Sequence, residues 1–255
     1  RDIFWRLMVW CERMTFKTAS VSVATNESYK AIAIERGGMD PDRVHVVRSG
    51  PKLDRLKILD PVPALKCSRD YLVGYVGVMG KQEGIDYLLR AVRHIVHDLN
   101  RNDVHFGLVG GGTELEQLEA YSRKLGVADF VTFTGRVDDQ TLLEMLNTAD
   151  ICVNPDVANA MNDKSTMNKI MEYMALAKPI VQFDLTEGRY SAGESSLYAE
   201  KNNPIDLAEK ILELLADPQR RDRMGKIGRS RVLNELEWEY EAPKLLQAYD
   251  QLFEQ

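Results

Sequence analysis

The chain has 255 residues, 44% of them hydrophobic and 28% charged, the balance of a soluble globular protein with material for one large domain or one and a half ordinary ones. A net charge of −6 argues against general nucleic-acid binding, and no apolar run approaches the roughly 20 residues that span a bilayer. Cys11, Cys67 and Cys152 are an odd, scattered set with neither metal-ligand spacing nor a disulfide framework, which points to a reducing cytoplasm and no bound metal.

The chain opens RDIFWRLMVW, without an initiator Met or a signal-peptide layout, as a fragment or a processed product would. RDIFWRLMVWCERMTFK is mildly basic and apolar; it reads as a helix of an incomplete domain, with contact to the inner face of a membrane as the second reading. SVSVAT is a strand, NESYKAIAIERGG a helix and VHVV a strand. Two strands are too few for a sheet of their own, so residues 1–52 are expected to be the end of an N-terminal α/β domain. Its unmatched apolar faces favour self-association. PKLDRLKILDPVPALKC breaks the rhythm with three prolines, and 53–70 reads as a linker.

From Tyr71 onward short apolar runs alternate with helical periods. The expected strands are YLVGYVG (71–77), VHFGLVG (104–110), FVTFTG (130–135), DICVNP (150–155), PIVQFD (179–184) and SLYAE (196–200). Between them, Ile85, Leu88, Leu89, Val92, Ile95, Val96 and Leu99 recur at helical spacing. TELEQLEAYSRKLG offers a capping box, Thr113 to Glu116, and a stop at Gly126. DDQTLLEMLNTA, NDKSTMNKIMEYMALAKP and NPIDLAEKILELLADP supply further helices. The class is α/β, a Rossmann-like doubly wound parallel sheet covered on both faces, spanning 71–237, with a partial N-terminal α/β unit.

In such sheets ligands bind at the carboxyl ends of the strands, and three turns there carry signals. In GVMGKQEG (77–84), Gly77, Gly80 and Gly84 admit close backbone approach, with Lys81 beside them. In VGGGTE (109–114), Gly111 and Gly112 precede a helix that could face a phosphate. Neither turn is G-x-G-x-x-G, so an NAD site is weakly supported. The third is residues 162–179. Ser165 or Asp163 is expected to cap the helix, leaving its N–H groups, Lys164, Thr166 and Lys169 for an anion. Glu172, two turns in, can accept two hydrogen bonds from a diol such as a ribose. The alternative is an exposed Glu172 paired with Lys169.

KIMEYMALAKPIV resembles the K-x-x-E-x-M-A-x-G-x-P-V-V segment of retaining family 4 glycosyltransferases, which have the two-domain GT-B fold. YVGVMGKQEGIDYLLRA, FGLVGGGTELEQLE and FVTFTGRVDDQTLLEMLNTADICVNPD are similar to the family's other motifs, in the family's order. The resemblance covers about residues 20 to 255, and residues 238–255 look like the last helix, which crosses back to the N-terminal domain. It departs at the charges. The first of the family's two glutamates falls on Lys164, with Asp163 beside it; the phosphate-binding Arg falls on Val78 and the Lys on Glu83.

The resemblance implies transfer of a sugar from a UDP- or GDP-linked donor to an acceptor hydroxyl, with retention and without a metal or other cofactor, in polysaccharide or glycolipid synthesis. The acceptor would be a saccharide or a lipid-linked sugar. It implies Asp163, Lys169 and Glu172 as the catalytic set and Val137 as the contact to the base. Glu187 and Arg189 are further donor contacts. Two other classes stay open: a non-catalytic donor-binding half that needs a separate N-terminal chain, and a sugar-nucleotide epimerase. On the fragment reading, the chain alone is expected not to turn over an acceptor.

Overall fold

The computed structural model describes residues 2–253. A first unit contains α1 (Ile3–Thr18), β1 (Ser22–Ala24), α2 (Glu27–Glu35) and β2 (Val44–Val46). β1 and β2 pair in parallel, Ser22 with Val44 and Ala24 with Val46. A second unit follows: β3 (Tyr71–Val76), α3 (Ile85–Arg93), β4 (Val104–Val109), α4 (Leu115–Lys124), β5 (Val131–Gly135), α5 (Asp139–Thr148), β6 (Ile151–Asn154), α6 (Asn168–Ala175), β7 (Ile180–Phe183), α7 (Thr186–Ala192), β8 (Ser196–Ala199) and α8 (Pro204–Leu215). α9 (Pro218–Arg231) lacks a clear apolar period and was not foreseen; α10 (Trp238–Phe253) packs back onto β1 and β2.

The six strands β3 to β8 form one parallel sheet in the order β5-β4-β3-β6-β7-β8. Alternate residues feed two separate cores, as the period of two requires. Val73, Tyr75, Ile151, Val153, Val181 and Phe183 pack under α3 and α8. Leu72, Cys152 and Ile180 face the opposite way, toward α5 and α6. Burial on both faces is why these strands read as continuous apolar runs. Gly74 and Gly107, paired in register, face α5; a Cβ on Gly107 would sit 2.4 Å from the Met145 sulfur, so these glycines let that helix approach the sheet.

Helix starts are mixed. Asp138 caps α5 through the Thr141 N–H, and Asn203 caps α8. The expected capping box at Thr113 and Glu116 is not made: α4 begins at Leu115 after Glu114, whose own N–H donates to the Met79 carbonyl. A tertiary bond from the neighbouring turn has replaced the local one. Gly126, at φ 72°, ends the helix as expected.

No helix among the described residues is long and apolar enough to cross a membrane. α1 packs inward through Val9, Glu12 and Phe16, while Ile3, Leu7, Trp10 and Met14 share the opposite face and are exposed. A stripe of that size on one helix favours association. The sedimentation coefficient is therefore expected to rise with concentration, and a Leu7→Glu, Trp10→Glu double variant should abolish the rise. A concentration-independent coefficient in the unmodified chain would contradict this.

Candidate functional site

Strand order reverses between β3 and β6, the place where an open α/β sheet leaves a crevice. The two strands pair only at Val73–Ile151 and Gly74–Cys152, then part. Tyr173 of α6 closes the gap. Its hydroxyl accepts from the Val76 N–H at 2.9 Å and donates to the Val153 carbonyl at 3.2 Å. Complete burial raises the phenol well above its ordinary range, so it stays a donor.

Above this bridge, Lys169 from the first turn of α6 lies between two carboxylates. Its ammonium donates to Asp156 Oδ1 at 2.8 Å and to the Glu83 carboxylate. The Tyr75 hydroxyl donates to Glu83 Oε2 at 2.9 Å, and the Tyr75 ring lies 5.1 Å from the ammonium. The Asn154 amide, turned with its nitrogen outward, donates to Asp156 at 2.9 Å. The side chains of Lys169, Glu83 and Asp156 are 10%, 16% and 1% exposed. Burial lifts Asp156 to about 6, with Glu83 adding to the shift and Lys169 opposing it.

The glycine turns pack against protein. A Cβ on Gly77 would meet the Tyr75 hydroxyl at 2.4 Å, one on Gly84 the Pro155 carbonyl at 1.9 Å and one on Gly112 the Met79 carbonyl at 2.4 Å. Gly80 faces the Gln82 side chain and Gly111 that of Arg136. Met79 N–H donates to Gly111 O, and Gly77 N–H to Val109 O. These turns brace one another, so the close approach expected of a ligand is made by neighbouring chain. Lys81 lies exposed on the first turn.

The segment 162–172 also departs from expectation. Neither Asp163 nor Ser165 caps the helix, which starts at Asn168 after Met167 with no side-chain cap. Ser165 lies outside it, so it does not share a stripe with Lys169 and Glu172. The preceding residues reach the first unit instead. Asn26, the cap of α2, donates to the Lys164 carbonyl at 2.8 Å and to Thr166 Oγ1 at 3.0 Å, and Tyr29 and Ser165 exchange a hydrogen bond of 2.9 Å. Asp163 accepts from both the N–H and hydroxyl of Thr186 and pairs with Lys201 at 3.1 Å. Glu187 is buried and accepts from Ser28 Oγ at 2.6 Å and Arg48 Nη1 at 3.3 Å. Arg189 pairs with Asp184 and stacks on Tyr198; Val137 packs on the second core. The Lys169–Glu172 pair of the alternative reading is not formed, because Lys169 pairs with Glu83 and Asp156.

Glu172 is placed differently. It forms one wall of a cavity of about 200 Å³ lined by Ser49, Gly50, Pro51, Arg55 and Asn168. No hydrogen bond reaches its carboxylate from any described residue. Burial raises its pKa, with Arg55 opposing the shift. Arg55 is itself held by both oxygens of Asp139, at 2.9 and 3.0 Å. The wall facing Glu172 comes from the segment after β2, so the cavity lies between the two units.

Three features escaped the sequence reading. Asp156 stands two residues beyond the end of β6, and an acid near that strand end was the available signal. The 49–56 wall carried none, because its partner lies more than a hundred residues on. Arg136, just after β5, is exposed beside Gly111 with no ion pair among the described residues. Nor does any group of three or more His, Cys, Asp or Glu side chains among them stand ready for a metal.

The family described as glycosyl transferases group 1 matches residues 70–217. Over 96% of the chain, the sequence is 25% identical to an alpha-maltose-1-phosphate synthase of Mycolicibacterium smegmatis, covering 66% of that protein. It is 28% identical to a D-inositol 3-phosphate glycosyltransferase of Thermomonospora curvata, over 85% of this chain and 53% of the relative. The chain thus spans half to two thirds of these relatives. The fold is that of a sucrose-phosphate synthase from Thermosynechococcus elongatus (TM-score 0.78, 23% identity, 99% of this chain and 62% of that one). It is equally that of Anabaena HepE, solved with UDP and glucose (TM-score 0.77, 16% identity, 91% and 63%).

Proposed function

The chain belongs to the glycosyl transferases group 1 family, and from that premise we propose that it binds a UDP- or GDP-linked sugar in the crevice between its units and serves transfer of that sugar, with retention, to an acceptor hydroxyl in polysaccharide or glycolipid synthesis. The observation that carries this reading is Glu172, a partly buried carboxylate with no hydrogen bond, facing a cavity. Partial burial already disfavours its ionised form, and hydrogen-bond donors from a ligand would offset that. A vicinal diol supplies two donors at the spacing of two carboxylate oxygens, and a ribose presents one.

The remaining chemistry is electrostatic. As the glycosidic bond breaks, negative charge grows on the leaving diphosphate, and fixed cations stabilise it without reorganisation. With Val78 and Glu83 in place of the family's Arg and Lys, that work falls to Lys169, Lys81 and Arg136. No metal is required by this scheme. The UDP bound to Anabaena HepE supports a uridine donor, and the inositol phosphate in the name of one relative supports a polyol acceptor.

Calorimetric titration with UDP, GDP, uridine and guanosine tests the reading. One diphosphate should bind. Glu172→Ala removes a charge-assisted contact of about 1.5–3 kcal/mol, which is roughly a ten- to hundredfold loss of affinity, for nucleoside and nucleoside diphosphate alike. Unchanged affinity in the variant would remove Glu172 from the donor site.

A further inference from the structure

The crevice at the strand-order reversal contains one ammonium and two carboxylates. Lys169 cannot neutralise both, so the cluster carries a net negative charge unless a proton joins it. It stands at the carboxyl ends of β3 and β6 and just above the Tyr173 bridge, where an anionic ligand of this sheet would come. Among the described residues, the side chains that contact the cluster bring no second positive charge: Tyr75 approaches from β3, Tyr173 and Lys169 from α6, and Asn154 from β6.

Resting on the donor-site reading above, we propose that Glu83 and Asp156 are positioning residues that hold the Lys169 ammonium toward the donor's diphosphate, and that the donor is bound together with one proton taken up at the buried Asp156 carboxylate. The physical reason is charge. A diphosphate brought beside Lys169 is repelled by whichever carboxylate remains ionised, and like charge at short range disfavours the ionised form. One proton on Asp156 leaves the cluster neutral, with the ammonium free to face the phosphates. The proton comes from solvent, and no covalent bond changes.

The sign follows from Asp156, which burial has already lifted to about 6 in the free protein. Below that value the cluster is protonated before the ligand arrives, and affinity does not vary with pH. Above it, each binding event must recruit a proton, so affinity falls as pH rises, by up to about tenfold per unit for one coupled proton.

The experiment is calorimetry with UDP-glucose and GDP-mannose, whose phosphates are fully ionised across this range, in two buffers of different ionisation enthalpy between about pH 6 and about pH 8. The expected result is uptake of close to one proton at the upper end and an affinity that falls across the range. Asp156→Asn mimics the protonated carboxyl, so it should bind independently of pH and, near pH 8, more tightly than the unmodified protein. A purely structural Asp156 would instead give weaker binding in this variant. Lys169→Met should weaken nucleotide-sugar binding at every pH and leave nucleoside binding unchanged. Binding with no proton uptake and no pH dependence overturns the proposal while the donor-site reading stands. Failure of both probes to bind at any pH overturns both. The proton count on the unmodified protein decides the matter if a variant does not fold.

Discussion

Arg48→Ala is expected to release the first unit from the second. Arg48 follows β2 and is 6% exposed. Its guanidinium pairs with the buried Glu187 at 3.3 Å and stacks 3.9 Å from the Tyr190 ring centroid, both on α7. Its backbone N–H, which alanine retains, donates to Glu241 of α10 at 2.8 Å, and Glu241 is held in turn by Lys244. Removing one member of a buried pair leaves the other charge desolvated and unmatched, at a cost of about 3–5 kcal/mol. Because the pair bridges two units, that cost falls on their docking. Amide exchange in β1 and β2 should accelerate while the six-stranded sheet stays protected, and urea unfolding should split into two steps. Arg48→Lys should rescue little, since an ammonium neither stacks flat on Tyr190 nor offers a planar fork. A variant that unfolds in one step at the original midpoint would show that Arg48 does not bind the units together.

Tyr173→Phe is expected to cost almost as much, inside the second unit. Losing the hydroxyl leaves the Val76 N–H and the Val153 carbonyl unpaired where β3 and β6 part. Each buried orphan costs about 1–3 kcal/mol, and the phenyl ring brings no compensating contact. Thermal unfolding of Tyr173→Phe should therefore fall well below that of Tyr198→Phe. The latter, near the sheet edge, loses chiefly its 2.7 Å bond to the Gly193 carbonyl, worth about 1 kcal/mol. Equal melting temperatures for the two variants would mean that the crevice does not depend on the Tyr173 bridge.

The fold was legible because its signals are local. Continuous apolar runs of four to six residues between helical periods can be buried only as parallel strands with both faces covered, and β3 to β8 appear within a residue or two of their expected bounds. Asp138 and Asn203 cap helices with groups three residues away or fewer. Where a distant group competed, local reading failed. The box at Thr113 yielded to a bond from Glu114 to Met79. Ser165 and Asp163 were drawn off to Tyr29 and Thr186, so neither capped α6.

What the sequence by itself determined was the alternation of strand and helix, and hence the sheet, together with Glu172 as an acid within an otherwise apolar helical pattern. The tertiary structure alone decided the charge partners. Lys169 is neutralised by residues 86 and 13 positions away, and Glu187 by one 139 away. Strand order chooses those partners by setting β3 beside β6, and the packing of α10 and α7 around Arg48 does the same between the units. Neither choice leaves a periodic trace in the chain, because a buried charge takes whatever opposite charge the packed elements bring within reach.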